Sequence, residues 1–144
     1  MPTDHASETV LIAATKDRVL DTIRDVGTQP EWIKEILEAE VLKKYDDGAP
    51  AEARFSASSP VGKDSYTLAY QHVPDAMTWS LVKGRLQTGQ DGAYTVRSLG
   101  RNKTEVTFEL TIRHNLPLPG FLRQRVIKGL VHSTVSGLKG FIES

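Results

Sequence analysis

The sequence contains no cysteine, which excludes disulfides, thiolate chemistry and zinc sites built on cysteine. It also lacks an excess of charge of either sign, because 18 basic and 18 acidic residues give a formal net charge of zero. No global field therefore attracts nucleic acid, and we expect no nucleic-acid partner; a local basic patch stays open. The four histidines do not have a metal-ligand spacing, so we expect no metal. We also expect no cofactor.

Long apolar runs are also missing. No stretch approaches 18 apolar residues, which argues against a transmembrane helix and against stable membrane insertion. The first residues lack the basic and apolar regions of a signal peptide, so we expect a cytoplasmic protein. A length of 144 residues predicts one domain over residues 1–144, with residues 1–6 frayed. The pattern fits either a monomer or a homodimer.

Strand patterns dominate the middle of the chain. Residues 8–13 predict a first strand, two short helices follow within residues 16–36, and six strand patterns then run in succession over residues 39–114. Thr15 is placed to cap the first helix, and Gly27 to end it in the left-handed conformation. The order β-α-α-β-β-β-β-β-β-α predicts an α+β fold. In this fold a curved antiparallel sheet of about seven strands wraps around a long C-terminal helix.

The helix predicted after Gly120 carries a stripe of small residues. Gly129, Ser133 and Gly137 lie on one face, with Gly140 beside them. Glycine inside a helix costs about 0.5–1 kcal/mol against alanine, so such a stripe needs a physical reason. Either the sheet comes very close to the helix backbone, or the helix leaves a space unfilled. In a small α+β domain, an unfilled space means a ligand cavity.

The beginning of this helix is the clearest apolar candidate for the surface. Residues 116–122 (LPLPGFL) are either a rigid connection whose leucines cap the core, or a pocket lip that touches a ligand, a membrane or a partner. Basic residues Arg123, Arg125 and Lys128 follow, as on an ordinary solvated helix face. The apolar positions expected to pack on the sheet are Phe121, Leu122, Val126, Leu130, Leu138, Phe141 and Ile142.

Aromatic side chains on the middle strands are the strongest candidates for ligand contacts. Tyr66 and Tyr70 share a strand face by the period of two, whereas His72 is expected to be a solvated turn residue. Tyrosine and tryptophan suit a pocket wall because each has an apolar body and one hydrogen-bonding tip; ordinary cross-strand aromatic pairing is the alternative. The candidate ligand-binding residues are Tyr66, Tyr70, Trp79, Tyr94, Phe108, Leu110, Val126, Leu130, Arg54 and Asp91.

Arg54 and Asp91 are candidates because a buried arginine or aspartate could orient a carbonyl group or activate an acidic C–H bond. The alternative is that they form exposed cross-strand ion pairs. We expect His114 at a rim and His132 on the surface. No nucleophile elbow, phosphate loop or dinucleotide fingerprint is present, and no catalytic residue is assigned.

Several segments carry a resemblance to a known family. Residues 13–19 (AATKDRV) resemble the strand-to-helix entry of the START-like (SRPBCC) superfamily, although Thr15 stands where that superfamily usually has proline. Residues 23–32 (IRDVGTQPEW) resemble its Asp followed by a Tyr-Pro-x-Trp stretch, with Gln29 in place of the tyrosine. Residues 92–96 (GAYTV) and the LPLPGFL segment look like the actinobacterial branch of polyketide cyclase/dehydrase and lipid-transport proteins.

The resemblance covers about residues 7–142 and implies a helix-grip fold with a cavity between sheet and helix. It also implies binding, transport or sequestration of a small hydrophobic molecule such as a polyketide, isoprenoid, quinone or lipid. Two alternatives stay open: a polyketide cyclase or dehydratase-type enzyme, and a protein-interaction module without a cavity. A buried acid/base pair in contact distance inside the cavity would favour the enzyme.

Overall fold

The computed structural model describes residues 3–144 as one antiparallel sheet with a long helix. It confirms the predicted α+β architecture, a curved sheet around a C-terminal helix, although the sheet does not close. In chain order the elements are β1 (Thr3–Ile12), α1 (Lys16–Arg24), a 3-10 helix (Val26–Glu31), β2 (Ile36–Lys44), β3 (Pro50–Ser59), β4 (Gly62–Val73), β5 (Ala76–Gly84), β6 (Gln87–Gly100), β7 (Lys103–His114) and α2 (Gly120–Glu143).

The sheet has seven strands in the order β1-β7-β6-β5-β4-β3-β2. β1 pairs with β7 along its whole length, from Thr3 opposite Arg113 to Ile12 opposite Thr104. The expectation that residues 1–6 are frayed is therefore wrong from Thr3 onward, since ladder bonds hold this strand and the side chain of Asp4 is buried. Residues 1 and 2 lie outside the described part.

The helices between β1 and β2 follow the prediction in number but not in detail. The Thr15 side chain accepts a hydrogen bond from the Arg18 backbone N–H, which confirms the predicted cap. Gly27 does not end α1, because the helix ends at Arg24 with Asp25 as its C-cap, and Gly27 lies inside the 3-10 helix without a positive φ. Pro30 inside this second helix lacks an N–H donor, which suits a short 3-10 segment.

The small-residue stripe of α2 has two causes, not one. A β-carbon on Gly137 would lie 1.8 Å from the carbonyl oxygen of Trp32, so at this point glycine permits a close backbone approach. A β-carbon on Gly129, which is exposed at the border of a cavity, would meet nothing within 4 Å. The close approach expected from the sequence therefore occurs at Gly137, but to the segment before β2 and not to the sheet, and open space occurs at Gly129.

α2 packs on the sheet mainly through its second half, where Val131, Val135, Leu138 and Ile142 are buried. The prediction that Phe121, Val126 and Phe141 also pack there is wrong, since all three are exposed. The first two turns overhang the cavity instead of the core, and Phe141 lies at the outer edge of the packed face. No helix within residues 3–144 combines the length and apolar character needed to cross a bilayer.

Candidate functional site

A cavity of about 490 Å³ lies between the concave face of the sheet and the first half of α2. Its volume falls within the roughly 300–1,000 Å³ typical of small-molecule sites. The mouth is bordered by α2 around Val126 and Gly129 on one side, and by Lys34 and Pro60 on the other. This is the space that the start of α2 leaves unfilled.

One wall of the cavity is aromatic. The Trp79 ring lies between those of Tyr70 and Tyr94, with centroids 5.9 and 5.3 Å away, and Tyr94 stacks on Phe108 at 4.7 Å. Gly92 lies directly across the ladder from Trp79, and a β-carbon on Gly92 would come within 2.2 Å of the indole. Gly92 therefore gives the indole the room to lie flat against β6.

Three tyrosine hydroxyls reach the same region. Burial raises the pKa of Tyr66, and the Asp64 carboxylate raises it further. Burial likewise raises the pKa of Tyr94, with an added contribution from Tyr66. Burial, and the neighbouring phenols of Tyr66 and Tyr94, raise the pKa of Tyr70. A hydrogen bond with Gln29 acts in the opposite direction and lowers this pKa. All three phenols are therefore protonated near neutral pH and can act as hydrogen-bond donors.

The hydroxyls of Tyr66 and Tyr94 differ from most buried polar groups in the protein. Among residues 3–144, no backbone or side-chain group forms a hydrogen bond with either of them. Buried polar groups are nearly always hydrogen-bonded in folded proteins. These two hydroxyls are therefore the cavity groups with free capacity to bind a ligand oxygen.

A chain of hydrogen bonds lines the end of the cavity near β6. The Trp79 indole N–H donates to Gln90 Oε1 at 2.8 Å, and Gln90 Nε2 donates to Gln87 Oε1 at 2.6 Å. Gln87 Nε2 then donates to Asp64 Oδ2 at 2.9 Å, while the Leu86 N–H donates to Oδ1 at 2.9 Å. Both carboxylate oxygens of Asp64 thus accept protein donors, as a buried charge requires.

A second polar cluster lies beside the first. Asp4 Oδ2 is 2.6 Å from His114 Nε2 and 3.3 Å from Arg123 Nε. The Leu116 backbone N–H points at His114 Nδ1 at 3.0 Å, so Nδ1 accepts and Nε2–H donates to Asp4. Both ring nitrogens of His114 are occupied in this neutral tautomer. The cluster joins β1, β7 and the start of α2.

The two polar clusters form one continuous end of the cavity. Gln87 and His114 are direct cross-strand partners between β6 and β7, and both line the cavity. The cavity therefore has an aromatic body and a polar end. Within residues 3–144, no three His, Asp or Glu side chains lie close enough together to hold a metal ion.

The family model for polyketide cyclase / dehydrase and lipid transport matches residues 12–139. The chain belongs to this family. No curated protein matches the chain.

Solved structures share the START-like fold with this member of the polyketide cyclase / dehydrase and lipid transport family. A START superfamily protein from Mycobacterium smegmatis is 23% identical with a TM-score of 0.89, covering 96% of this chain and 97% of that chain. The Zhui aromatase/cyclase from Streptomyces sp. R1128 is 13% identical with a TM-score of 0.81, covering 99% and 94%. A STAR-related lipid transfer protein fragment from Xanthomonas axonopodis is 17% identical with a TM-score of 0.72, covering 97% and 86%. These similarities establish the fold.

Most of the residues predicted as ligand contacts line the cavity of this family member. They are Tyr66, Tyr70, Trp79, Tyr94, Phe108, Leu110, Val126 and Leu130. The structure does not place Arg54 and Asp91 there, and this corrects the prediction. Arg54 pairs with Glu40, and Asp91 lies 3.1 Å from Arg113, both in exposed cross-strand ion pairs. Their side chains point to the convex face of the sheet, where water solvates the charges.

The histidine predictions had mixed outcomes. His132 is on the surface as expected, 2.9 Å from a Glu8 carboxylate oxygen. His72 is not a solvated turn residue, since its ring stacks on Tyr70 and its Nε2 lies 2.7 Å from the Pro50 carbonyl oxygen. His114 is not at an exposed rim, because only 5% of its surface is accessible and it forms part of the cavity wall.

The polar end of the cavity was not predicted from the sequence. Its residues are Asp4, Asp64, Gln87, Gln90, His114 and Arg123. Asp4 was assigned to a frayed terminus, and a register shift between Gln87 and Gly89 breaks the period of two that would have placed Gln87. The available signal was His114 itself, a histidine at the end of a strongly alternating strand.

Proposed function

We propose that this protein binds a small, uncharged hydrophobic molecule in the cavity and carries or sequesters it. The observation that carries this proposal is the aromatic cavity of about 490 Å³ with the unpartnered hydroxyls of Tyr66 and Tyr94 inside it. Polyketides, isoprenoids, quinones and lipids with at least one oxygen acceptor fit this description. The lipid transfer protein and the aromatase/cyclase among the similar folds support the same class of ligand.

Affinity and orientation would come from different parts of the site. Burial of apolar ligand surface against Trp79 and Phe108 supplies roughly 25 cal/mol per Å², which is the main source of affinity. A hydrogen bond from Tyr66 or Tyr94 to a ligand oxygen adds about 0.5–1.5 kcal/mol and fixes the orientation of the molecule. The negative charge of Asp64 beside Tyr66 disfavours an anionic group at this position.

An enzyme of the cyclase or dehydratase type is the second candidate. The buried Asp4–His114 pair in the cavity wall, 2.6 Å apart, is the kind of acid/base pair that this function needs. Both nitrogens of His114 are already hydrogen-bonded, however, so no ring lone pair is free to take a proton from a ligand. We therefore place binding first. Release of a bound poly-β-keto compound lighter by one water would favour the enzyme.

A matched pair of substitutions tests ligand binding. A phenylalanine in place of Gly129 would narrow the mouth, whereas Gly140→Phe adds the same ring to an exposed position of the same helix outside the cavity wall. Neither change meets an atom at its β-carbon. We expect Gly129→Phe to lose most of the apolar ligand retained by the purified wild-type protein, and Gly140→Phe to keep it. Equal retention by both variants would contradict the proposal.

A further inference from the structure

We propose that the mouth of the cavity docks onto an anionic lipid bilayer. The docking surface, called here the mouth face, consists of Phe121, Arg125, Val126 and Lys128 on α2 together with Lys34 across the opening. This inference goes beyond ligand binding, because it concerns the surface on which the cavity opens.

The first element of the mouth face is an exposed aromatic ring. Phe121 is 70% exposed, the largest exposed fraction among the large hydrophobic residues of the described chain. It borders a shallow depression on α2 that shares Arg125 and Gly129 with the cavity wall. Val126, also exposed, lies at the opening itself. An exposed ring beside the entrance of an apolar cavity matches the requirements of a lipid interface.

The second element is basic side chains that form no ion pair within residues 3–144, although Glu8, which pairs with His132, lines the same depression. α2 carries Arg123, Arg125 and Lys128 in its first half, and its one acidic residue is Glu143 at the far end. Arg123 is neutralised by the buried Asp4. Across the described residues 3–144, neither Arg125 nor Lys128 forms an ion pair.

The opposite side of the opening completes the surface. Lys34 is exposed and forms no ion pair with any residue from 3 to 144. The adjacent residue, Glu35, accepts a hydrogen bond from Ser133. Free cations thus stand on both sides of an apolar opening although the whole chain is formally neutral, and anionic headgroups complement them.

The apolar part of this surface favours a bilayer over an acidic protein. Val61, at the tip of the β3–β4 hairpin next to the mouth-lining Pro60, is exposed, as Phe121 is on α2. Two exposed apolar groups flanking the mouth could enter the headgroup region while the cations contact phosphates. An apolar molecule could then pass between bilayer and cavity without crossing water, which avoids the cost of hydrating its surface.

Vesicle co-sedimentation of the full chain tests the docking. The vesicles contain either phosphatidylcholine alone or phosphatidylcholine with about one third phosphatidylglycerol, and no cavity ligand is added. We expect binding to the anionic vesicles only, and weaker binding as salt is raised because the Debye length shortens. Since each basic side chain contributes roughly a fivefold change in partitioning, Arg125→Gln with Lys128→Gln should lower it about 25-fold. Phe121→Ser should lower it as well.

The control removes the same number of positive charges at the other end of the sheet. Arg101 and Lys103, both exposed, lie at the β6–β7 turn, a full strand length from His114 at the cavity end. Arg101→Gln with Lys103→Gln should bind anionic vesicles like the wild type. Absence of binding by the wild-type protein would overturn the proposal, and so would an equal loss in both double variants. Either result would leave ligand binding untouched, because the assay involves no ligand.

Discussion

Gly137 packs directly on the carbonyl oxygen of Trp32, so close that a β-carbon would lie 1.8 Å from that oxygen. This contact fixes the second half of α2 against the segment that follows the 3-10 helix. Two turns earlier in the same helix, Gly129 has open space where its side chain would be. One helix therefore serves as an anchor at one end and as a cavity wall at the other.

The anchor predicts that Gly137→Ala destabilises the fold. The oxygen is part of the backbone and cannot turn aside, so α2 and the segment around Trp32 must separate, at a cost of about 2–4 kcal/mol in the free energy of unfolding. Urea denaturation measures the change. Gly140→Ala is the control, since its β-carbon meets nothing and alanine should stabilise the helix by about 0.5–1 kcal/mol. Equal stability of the two variants would show that the close contact does not exist.

A second prediction concerns the packing of the Trp79 indole on β6. Gly92→Ala places a β-carbon within 2.2 Å of the Trp79 ring, which must move away from Gln90 and Tyr94. We expect a loss of about 1–3 kcal/mol in stability and a shift in tryptophan fluorescence. Gly89→Ala, on the same strand, meets the flexible end of Arg113 and should change neither quantity much. An unchanged fluorescence spectrum in Gly92→Ala would contradict this arrangement of the wall.

Removal of the cavity hydroxyls should separate stability from ligand binding. Tyr66→Phe and Tyr94→Phe delete groups that have no partner among residues 3–144, so the midpoint of thermal unfolding should stay or rise. Tyr45→Phe deletes a hydrogen bond to the Tyr70 carbonyl oxygen and should therefore lower the midpoint of thermal unfolding. Retention of an oxygenated ligand should drop about twofold to tenfold in the two cavity variants. A clear stability loss in both would mean that these hydroxyls have protein partners.

The raised pKa values of Tyr66, Tyr70 and Tyr94 make the fold sensitive to alkali. A phenol whose pKa is higher in the folded state gives its full stabilisation below the ordinary value of 10.0 and loses it as the pH rises above that value. The free energy of unfolding should therefore fall between about pH 10 and about pH 12, by up to roughly 1.4 kcal/mol per pH unit for each phenol. Urea titrations across this range measure the slope, and Tyr94→Phe should flatten it. A slope unaffected by that change would argue against a buried phenol.

The sequence predicted the fold well because local signals agree with one another. The alternating strand β7, the Thr15 cap and the β-hairpin turns each act over a few residues, and the family resemblance supplied the topology. The aromatic wall was also predictable, since the period of two places Tyr66 and Tyr70 on one face. The pattern does not show which of the two faces of each strand is concave. For this reason Arg54 and Asp91, which form exposed ion pairs, were among the predicted ligand contacts.

The polar end of the cavity could not be predicted from local patterns. Asp4 and His114 are 110 positions apart in sequence and meet because β1 pairs with β7 in a particular register. The Gln87–Asp64 bond likewise depends on how β6 leaves its ladder with β5. The different roles of Gly129 and Gly137 could not be predicted from α2 alone either, because the position of the Trp32 carbonyl is set by the 3-10 helix.

The central claim is that the cavity holds a small hydrophobic ligand, and native mass spectrometry of the purified protein tests it most directly. Denaturing extraction then identifies whatever the protein releases. The account predicts one apolar molecule per chain, uncharged and carrying at least one oxygen acceptor, with its amount reduced in Gly129→Phe and kept in Gly140→Phe. A protein that stays at its bare mass, even after incubation with quinones, polyketides and lipids, would contradict the account.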